Sequence, residues 1–174
     1  MESTIQGRVY KFGDNVNSDI IIPGRYLIYI DAQKLSEHAF EVLGQEFPAK
    51  LRGFQILVAG RNFGCGSARE QAATAIQGLG IRAVVACSFA RTFYRNAIND
   101  GLPIIECPDL YPAVEEGDEL TIDLAASKIL HHGRTNLGKE YSFPRLPESV
   151  RKILELGGLA AYLKAQLNAP ANPA

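Results

Sequence analysis

Cys65, Ser67 and Arg69 stand at alternate positions in GRNFGCGSARE, residues 60–70, and each residue type suggests a different chemistry. A cysteine nucleophile at Cys65 would need a histidine partner, and the candidates His38, His131 and His132 carry no recognisable flanking motif. A cysteine used as a small hydrophobe is the commoner case. A phosphate loop needs a lysine before the helix serine, where this chain has Gly66. A dinucleotide fingerprint fails as well, because Gly64-x-Gly66 is followed by Ala68 and Arg69. Two readings survive. Ser67-Ala68-Arg69-Glu70 fits the S-x-x-E capping box, which contributes about 1 kcal/mol. Capping leaves the paired glycines and Arg69 unexplained, since a cation in the first helical turn is mildly disfavoured. Arginine beside bare amides at a helix N-terminus is instead a carboxylate site.

The elements around this stretch place it. GRVYKFG (7–13) alternates as a strand does. Residues 14–31 mix turn formers with Ile20, Ile21, Ile22, Leu27 and Ile28, the pattern of a functional loop. Residues 32–44 have helical spacing ending at Gly44. FQILVAG (54–60), IRAVVACS (81–88) and LPIIEC (102–107) read as buried strands. Between them lie a helix after residue 67, with Ala72, Ala75, Ile76 and Leu79 on one face, and a helix over 89–100. A β-α-β-α-β order favours parallel strands. The glycine-rich stretch then sits at the C-terminal edge of that sheet, where ligands bind in open α/β folds. Residues 118–133 and 139–143 read as short strands, with His131 and His132 on the surface of a hairpin. Residues 147–167 read as a helix broken at Gly157 and Gly158. The expected organisation is one domain over 1–167 and a disordered tail over 168–174.

Composition narrows the function classes. The 174 residues suffice for one domain with a real core. A formal net charge of −1 argues against a general nucleic-acid binder. No apolar run approaches the roughly 20 residues of a membrane span, and MESTIQGRVYKFG lacks a signal-peptide core. Three widely spaced cysteines without a CxxC pair indicate neither a disulfide framework nor a self-contained zinc or iron–sulfur site. A reduced, cytoplasmic setting is expected.

GRNFGCGSARE, followed by GIRAVVACSFARTFYRNAINDGLPII, resembles the small subunits of 3-isopropylmalate dehydratase, a family equal to the swivelling domain of aconitase made as a separate chain. VYKFGDNVNSDIIIPGRYL and ILELGGLAAYL extend the resemblance over roughly residues 7–166. It implies an α/β fold: a single compact domain of the aconitase swivelling type, β/β/α, with a partly parallel β-α-β-α-β middle. It also implies a hydro-lyase that moves a hydroxyl between adjacent carbons, active only with a large subunit that carries a [4Fe-4S] cluster. This chain would bring Ser67, taking a proton from the substrate as an alkoxide, and Arg69, holding a substrate carboxylate, with the Gly66 backbone bared beside them. Many members have a second serine where this chain has Ala68. Asp19 matches an aspartate near the serine in the family; a turn or cap role is the competing reading.

Within YLIY (26–29), the resemblance places Ile28 where relatives acting on an extra carboxylate have an arginine. An isopropyl group on Ile28 would gain about 2 kcal/mol, at ~0.8 per buried CH₂. A carboxylate there would lose several. The expected substrate is therefore isopropylmalate. The alternatives are homoaconitate, dimethylmalate or maleate, or a stand-alone module that binds a dicarboxylate. Arg91 and Arg95 share a helix face and are expected to be solvated.

Overall fold

The computed structural model describes residues 4–133 and 138–168. In chain order the elements are β1 (Thr4–Lys11), α1 (Ser18–Ile21), α2 (Ala32–Ser36), α3 (Phe47–Leu51), β2 (Ile56–Ala59), α4 (Gln71–Gly78), β3 (Ala83–Ala86), α5 (Arg91–Asn99), β4 (Ile104–Glu106), β5 (Glu119–Asp123), β6 (Lys128–His131), β7 (Lys139–Ser142), α6 (Glu148–Glu155) and α7 (Leu159–Asn168). The strands form one sheet in the order β4-β3-β2-β1-β5-β6-β7. Strand β1 is its hinge. It runs parallel to β2, with Val9 opposite Ile56, and antiparallel to β5, with Ile5 opposite Ile122. The pairs β2–β3 and β3–β4 are parallel, and β5–β6 and β6–β7 are antiparallel. The β-α-β-α-β middle is thus a parallel block, as expected.

Every residue of β2 and β3 is buried. Leu57, Ala59, Val84 and Ala86 share a core with α4 and α5 through Ala72, Ile76, Phe93 and Ala97. Ile56, Val58, Ala83 and Val85 point the other way. There they meet Leu120, Ile122, Ile129 and Tyr141 of the antiparallel strands, so the sheet curls around a second core. Burial on both faces is why ILVA and AVVA read as unbroken apolar runs rather than alternating ones.

Several expectations are corrected. The helix expected over 32–44 stops at Ser36. Phe40 takes a left-handed backbone conformation, and Glu41–Leu43 form a separate 3-10 turn ending at Gly44. Residues 14–31 are not plain loop: they contain α1 and a 3-10 turn over Gly24–Tyr26. His131 is not a surface residue. It is fully buried, and its Nε2 lies 2.7 Å from Asp118 Oδ2. A buried imidazole is tolerated when a carboxylate takes its N–H. His132 is half-buried, with Nε2 3.0 Å from the Thr121 hydroxyl. Gly157 and Gly158 do separate two helices, and the second runs to Asn168. The rest of the expected tail, 169–174, lies outside the described residues.

Candidate active site

The loops that follow β1, β2 and β3 lie side by side at the C-terminal edge of the parallel block. Their backbones continue the sheet past its formal end. Phe12 N–H donates to Val58 O at 2.7 Å, Asn15 N–H to Arg61 O at 2.8 Å, Gly64 N–H to Val16 O at 2.8 Å, and Ser18 N–H to Cys65 O at 2.7 Å. Phe63 joins the third loop, with its N–H on Ser88 O at 3.0 Å and its carbonyl taking Ala90 N–H at 2.9 Å. Ser18 Oγ adds a side-chain tie to Ser67 O at 2.7 Å. Asn17 caps α1 by accepting Asp19 N–H at 2.8 Å.

This zipper explains the glycines. Gly66 has φ +90°, and a Cβ there would collide with Asn17 Oδ1; Gly64 has φ +76° and lies under the Phe93 ring. Close backbone approach, rather than bared amides alone, demands glycine at both places. Gly66, Ser67 and Ala68 are nevertheless exposed, and among the described residues nothing accepts their N–H groups. The capping box does not form. Helix α4 starts only at Gln71, its N-cap position is Glu70, and no side chain caps it. Ser67 therefore stands on an open rim three residues ahead of that N-cap.

Arg69 is held from two sides. Its Nη1 donates to Ile22 O at 2.7 Å, and its Nη2 is ion-paired with Asp19. The side chain is 12% exposed, while that of Asp19 is 54% exposed. A guanidinium has five N–H donors, so these two contacts leave Nε–H and one hydrogen on each Nη unused. Asp19 is thus neither turn nor cap residue: it is the partner of Arg69, and Asn17 is the cap. The segment carrying Ile28 rests on the same rim. Gln71 Nε2 donates to Leu27 O at 3.3 Å, and a Cβ on Gly24 would touch Arg69 Nη2 at 3.4 Å. Ile28 and Ile30 are 79% and 90% exposed, so Ile28 is not a core residue.

The structure therefore brings Gly66, Ser67, Arg69, Asp19 and the Ile28 segment to one edge. Arg91 and Arg95 are exposed on α5. Cys65 has none of the three histidines as a partner: His38 is paired with Glu41, His131 with Asp118 and His132 with Thr121. Burial raises the Cys107 thiol, and burial followed by the Asp14 charge raises that of Cys87. Among the described residues no three His, Cys, Asp or Glu side chains gather as a metal site. Cys87 and Cys107 follow the paired Ala86 and Glu106 and are near enough for Cys87 to help raise the Cys107 thiol, but no third ligand joins them among the described residues, so they do not fit an iron–sulfur cluster on this chain. Sequence reasoning missed Asn17, Ser18 and Gln71. The NSD run could have yielded Asn17, since asparagine is among the best N-caps; nothing local announces the other two.

A mixed, curled α/β domain with an open Ser-x-Arg edge at the end of its parallel strands defines a class, and the comparisons agree on it. Residues 15–109 match the family described as the aconitase C-terminal domain, and the chain belongs to that family. Within it, the chain is similar to small subunits. It is 45% identical to the 3-isopropylmalate dehydratase small subunit of Thermodesulfovibrio yellowstonii, over 94% of this chain and 96% of that one. It is 46% identical to the isopropylmalate/citramalate isomerase small subunit of Methanocaldococcus jannaschii, over 96% and 98%. A crystal structure of 3-isopropylmalate dehydratase from M. jannaschii superposes with a TM-score of 0.83 at 45% identity, covering 94% of this chain and 95% of that one.

Proposed function

We propose that this chain is the small subunit of a two-chain hydro-lyase that interconverts 2-isopropylmalate and 3-isopropylmalate in leucine biosynthesis, in the cytoplasm. The observation that carries the reading is the exposed Ser67 beside an arginine that Asp19 and the Ile22 carbonyl fix in place. In this reading Ser67 Oγ exchanges the proton on the substrate carbon. Arg69 binds a substrate carboxylate through its unused N–H groups, and the Gly66 backbone lies alongside. The large subunit closes the open side and carries the [4Fe-4S] cluster, which supplies Lewis-acid chemistry at the migrating hydroxyl.

Electrostatics explain why a second chain is needed. A serine hydroxyl is a very weak acid, and each pKa unit of lowering needs about 1.36 kcal/mol. A helix N-terminus gives at most ~2 kcal/mol, confined to its first turn. Helix α4 begins beyond Arg69, so Ser67 receives little of that. Arg69 is partly neutralised by Asp19. The missing positive charge has to come from the partner.

Ile28 supports an apolar substituent. The M. jannaschii relative is named for both isopropylmalate and citramalate, and these differ by two carbons in the substituent. At ~0.8 kcal/mol per buried CH₂, isopropylmalate would be preferred by about tenfold or more. The test is reconstitution with an iron–sulfur large chain, assayed with isopropylmalate, citramalate and maleate. Turnover of isopropylmalate by the complex and none by the single chain is the expected result. Activity in the isolated chain refutes the reading, as does a stable liganded monomer that never associates with a large chain.

A further inference from the structure

The segment that carries Ile28 also carries a cation. Gly24 to Tyr29 is a run of i→i+3 turns: Leu27 N–H donates to Gly24 O at 3.2 Å, and Tyr29 N–H to Tyr26 O at 3.0 Å. Residues three apart in such a run lie one turn apart, so Arg25 and Ile28 belong to the same short segment. A free guanidinium there would offer a carboxylate the partner that Ile28 denies it. It is not free. Arg25 lies over the Tyr26 ring at 4.8 Å and is ion-paired with Glu41.

Glu41 is fixed for this task. Its side chain is 16% exposed, against 67% for Arg25. Its second oxygen is 2.9 Å from His38 Nδ1. A carboxylate only accepts, so that nitrogen carries the proton. The His38 ring stacks on Tyr26 at 3.7 Å with planes 4° apart, and Tyr29 flanks the pair, 6.4 Å from Tyr26 and 6.3 Å from His38. The 3-10 turn that breaks the expected helix at Phe40 is what brings Glu41 to this place. An exposed ion pair is worth little by itself. Here one end is anchored by an imidazole and a ring stack, so the carboxylate is preorganised and the arginine comes to it.

We infer that Glu41 is a specificity-determining residue that acts through Arg25: by holding the guanidinium against Tyr26 it keeps the Ile28 segment apolar towards substrate, and without it the same segment would accept a substituent that ends in a carboxylate. This inference rests on the proposed function for its substrate class. Citrate, which is malate bearing a carboxymethyl group, is the probe for that second class.

The experiment uses Glu41→Gln, whose side-chain carbonyl still accepts from His38, and the double variant Arg25→Gln/Glu41→Gln. Each is assayed as the full chain with the large subunit on 2-isopropylmalate and on citrate. Glu41→Gln should move the ratio of kcat/KM values towards citrate by at least about tenfold, the effect of one charge-assisted contact, and the double variant should lose that gain. A purely structural role would lower both substrates together. An unchanged ratio, or a gain that survives removal of Arg25, overturns the inference. Should Glu41→Gln not assemble, Glu41→Ser gives the same reading, since it also leaves Arg25 without its carboxylate. Titration of the isolated chains with citrate, followed by NMR of the Arg25 and Ile28 amides, supplies an arm that is independent of turnover. If the wild-type complex ignores isopropylmalate, the proposed function falls; the citrate response of Glu41→Gln over wild type then still decides Glu41.

Discussion

Two walls meet at the candidate site, and they are built differently. The wall that carries Ser67 is backbone: residues 12–18 and 58–67 exchange main-chain hydrogen bonds as an extension of β1 and β2. The wall that carries Ile28 is side chain: it leans on Tyr26, His38 and Glu41 through ring stacking and one shared carboxylate. The first arrangement fixes the position of a hydroxyl with little regard to side-chain identity. The second sets what the loop presents through a handful of exchangeable residues.

The comparison breaks most decisively at Ser67. Ser67→Ala in the reconstituted complex is expected to lower kcat by about 10³-fold, the middle of the range for general acid–base groups. KM, melting temperature and assembly should hold, because Ser67 is exposed and its tie to Ser18 uses the carbonyl, not the hydroxyl. A loss below tenfold would remove Ser67 from the chemistry. Next in size is Gly66→Ala. A side chain at φ +90° that also displaces Asn17 costs roughly 1–3 kcal/mol, a drop in Tm of about 3–10 °C in a chain of this length. Differential scanning calorimetry checks it. No change in Tm would mean that the backbone wall is softer than its hydrogen bonds suggest. Smaller again is Ile28→Arg. It should exchange about 2 kcal/mol of apolar contact for a carboxylate partner, moving the ratio of kcat/KM values towards citrate by about thirtyfold. Tm should barely shift, because Ile28 is 79% exposed.

The two walls were unequally legible in the sequence. The backbone wall could be placed because its strands are marked by continuous apolar runs and its loop by glycines, which report backbone geometry directly. Ser67 and Arg69 stand out as candidates through their spacing and the family resemblance. Their local setting was misread, since S-x-x-E matches a capping box while helix α4 begins three residues too late to use it. Ser18 and Gln71 reach across 49 and 44 residues of chain, a distance no local pattern reports. The side-chain wall was harder still. Residues 32–44 carry helical spacing, yet the chain turns at Phe40, whose fully buried ring stacks on Phe12 at 4.9 Å. Tertiary packing overrides the periodicity there, and Glu41 reaches Arg25 only because of that turn. His131 was misplaced for a related reason: its partner, Asp118, precedes β5 and meets it only once β5 and β6 pair.

Acid should take the walls apart in sequence, and this is the finest test of the distinction. Burial pushes the Glu41 carboxyl up, but hydrogen bonding from Tyr26, His38 and Arg25 outweighs it, and the net direction is down from 4.5. A carboxyl whose folded pKa lies below its unfolded value adds stability that is complete above the unfolded value and is lost as pH falls through the folded one. The side-chain wall should therefore loosen below about pH 4.5, when Glu41 takes up a proton and releases Arg25 and His38 together. The Ser18–Cys65 and Gly64–Val16 bonds join backbone groups that do not titrate. Hydrogen-exchange protection, corrected for intrinsic rates, should fall at Leu27 and Tyr29 before it falls at Ser18 and Gly64, and Glu41→Gln should erase that acid step. The effect is small because Arg25 is largely in solvent, where water and salt screen the pair. Loss of protection at both walls in one transition, in wild type and variant alike, would mean that Glu41 does not hold the loop and that the two walls open as one unit.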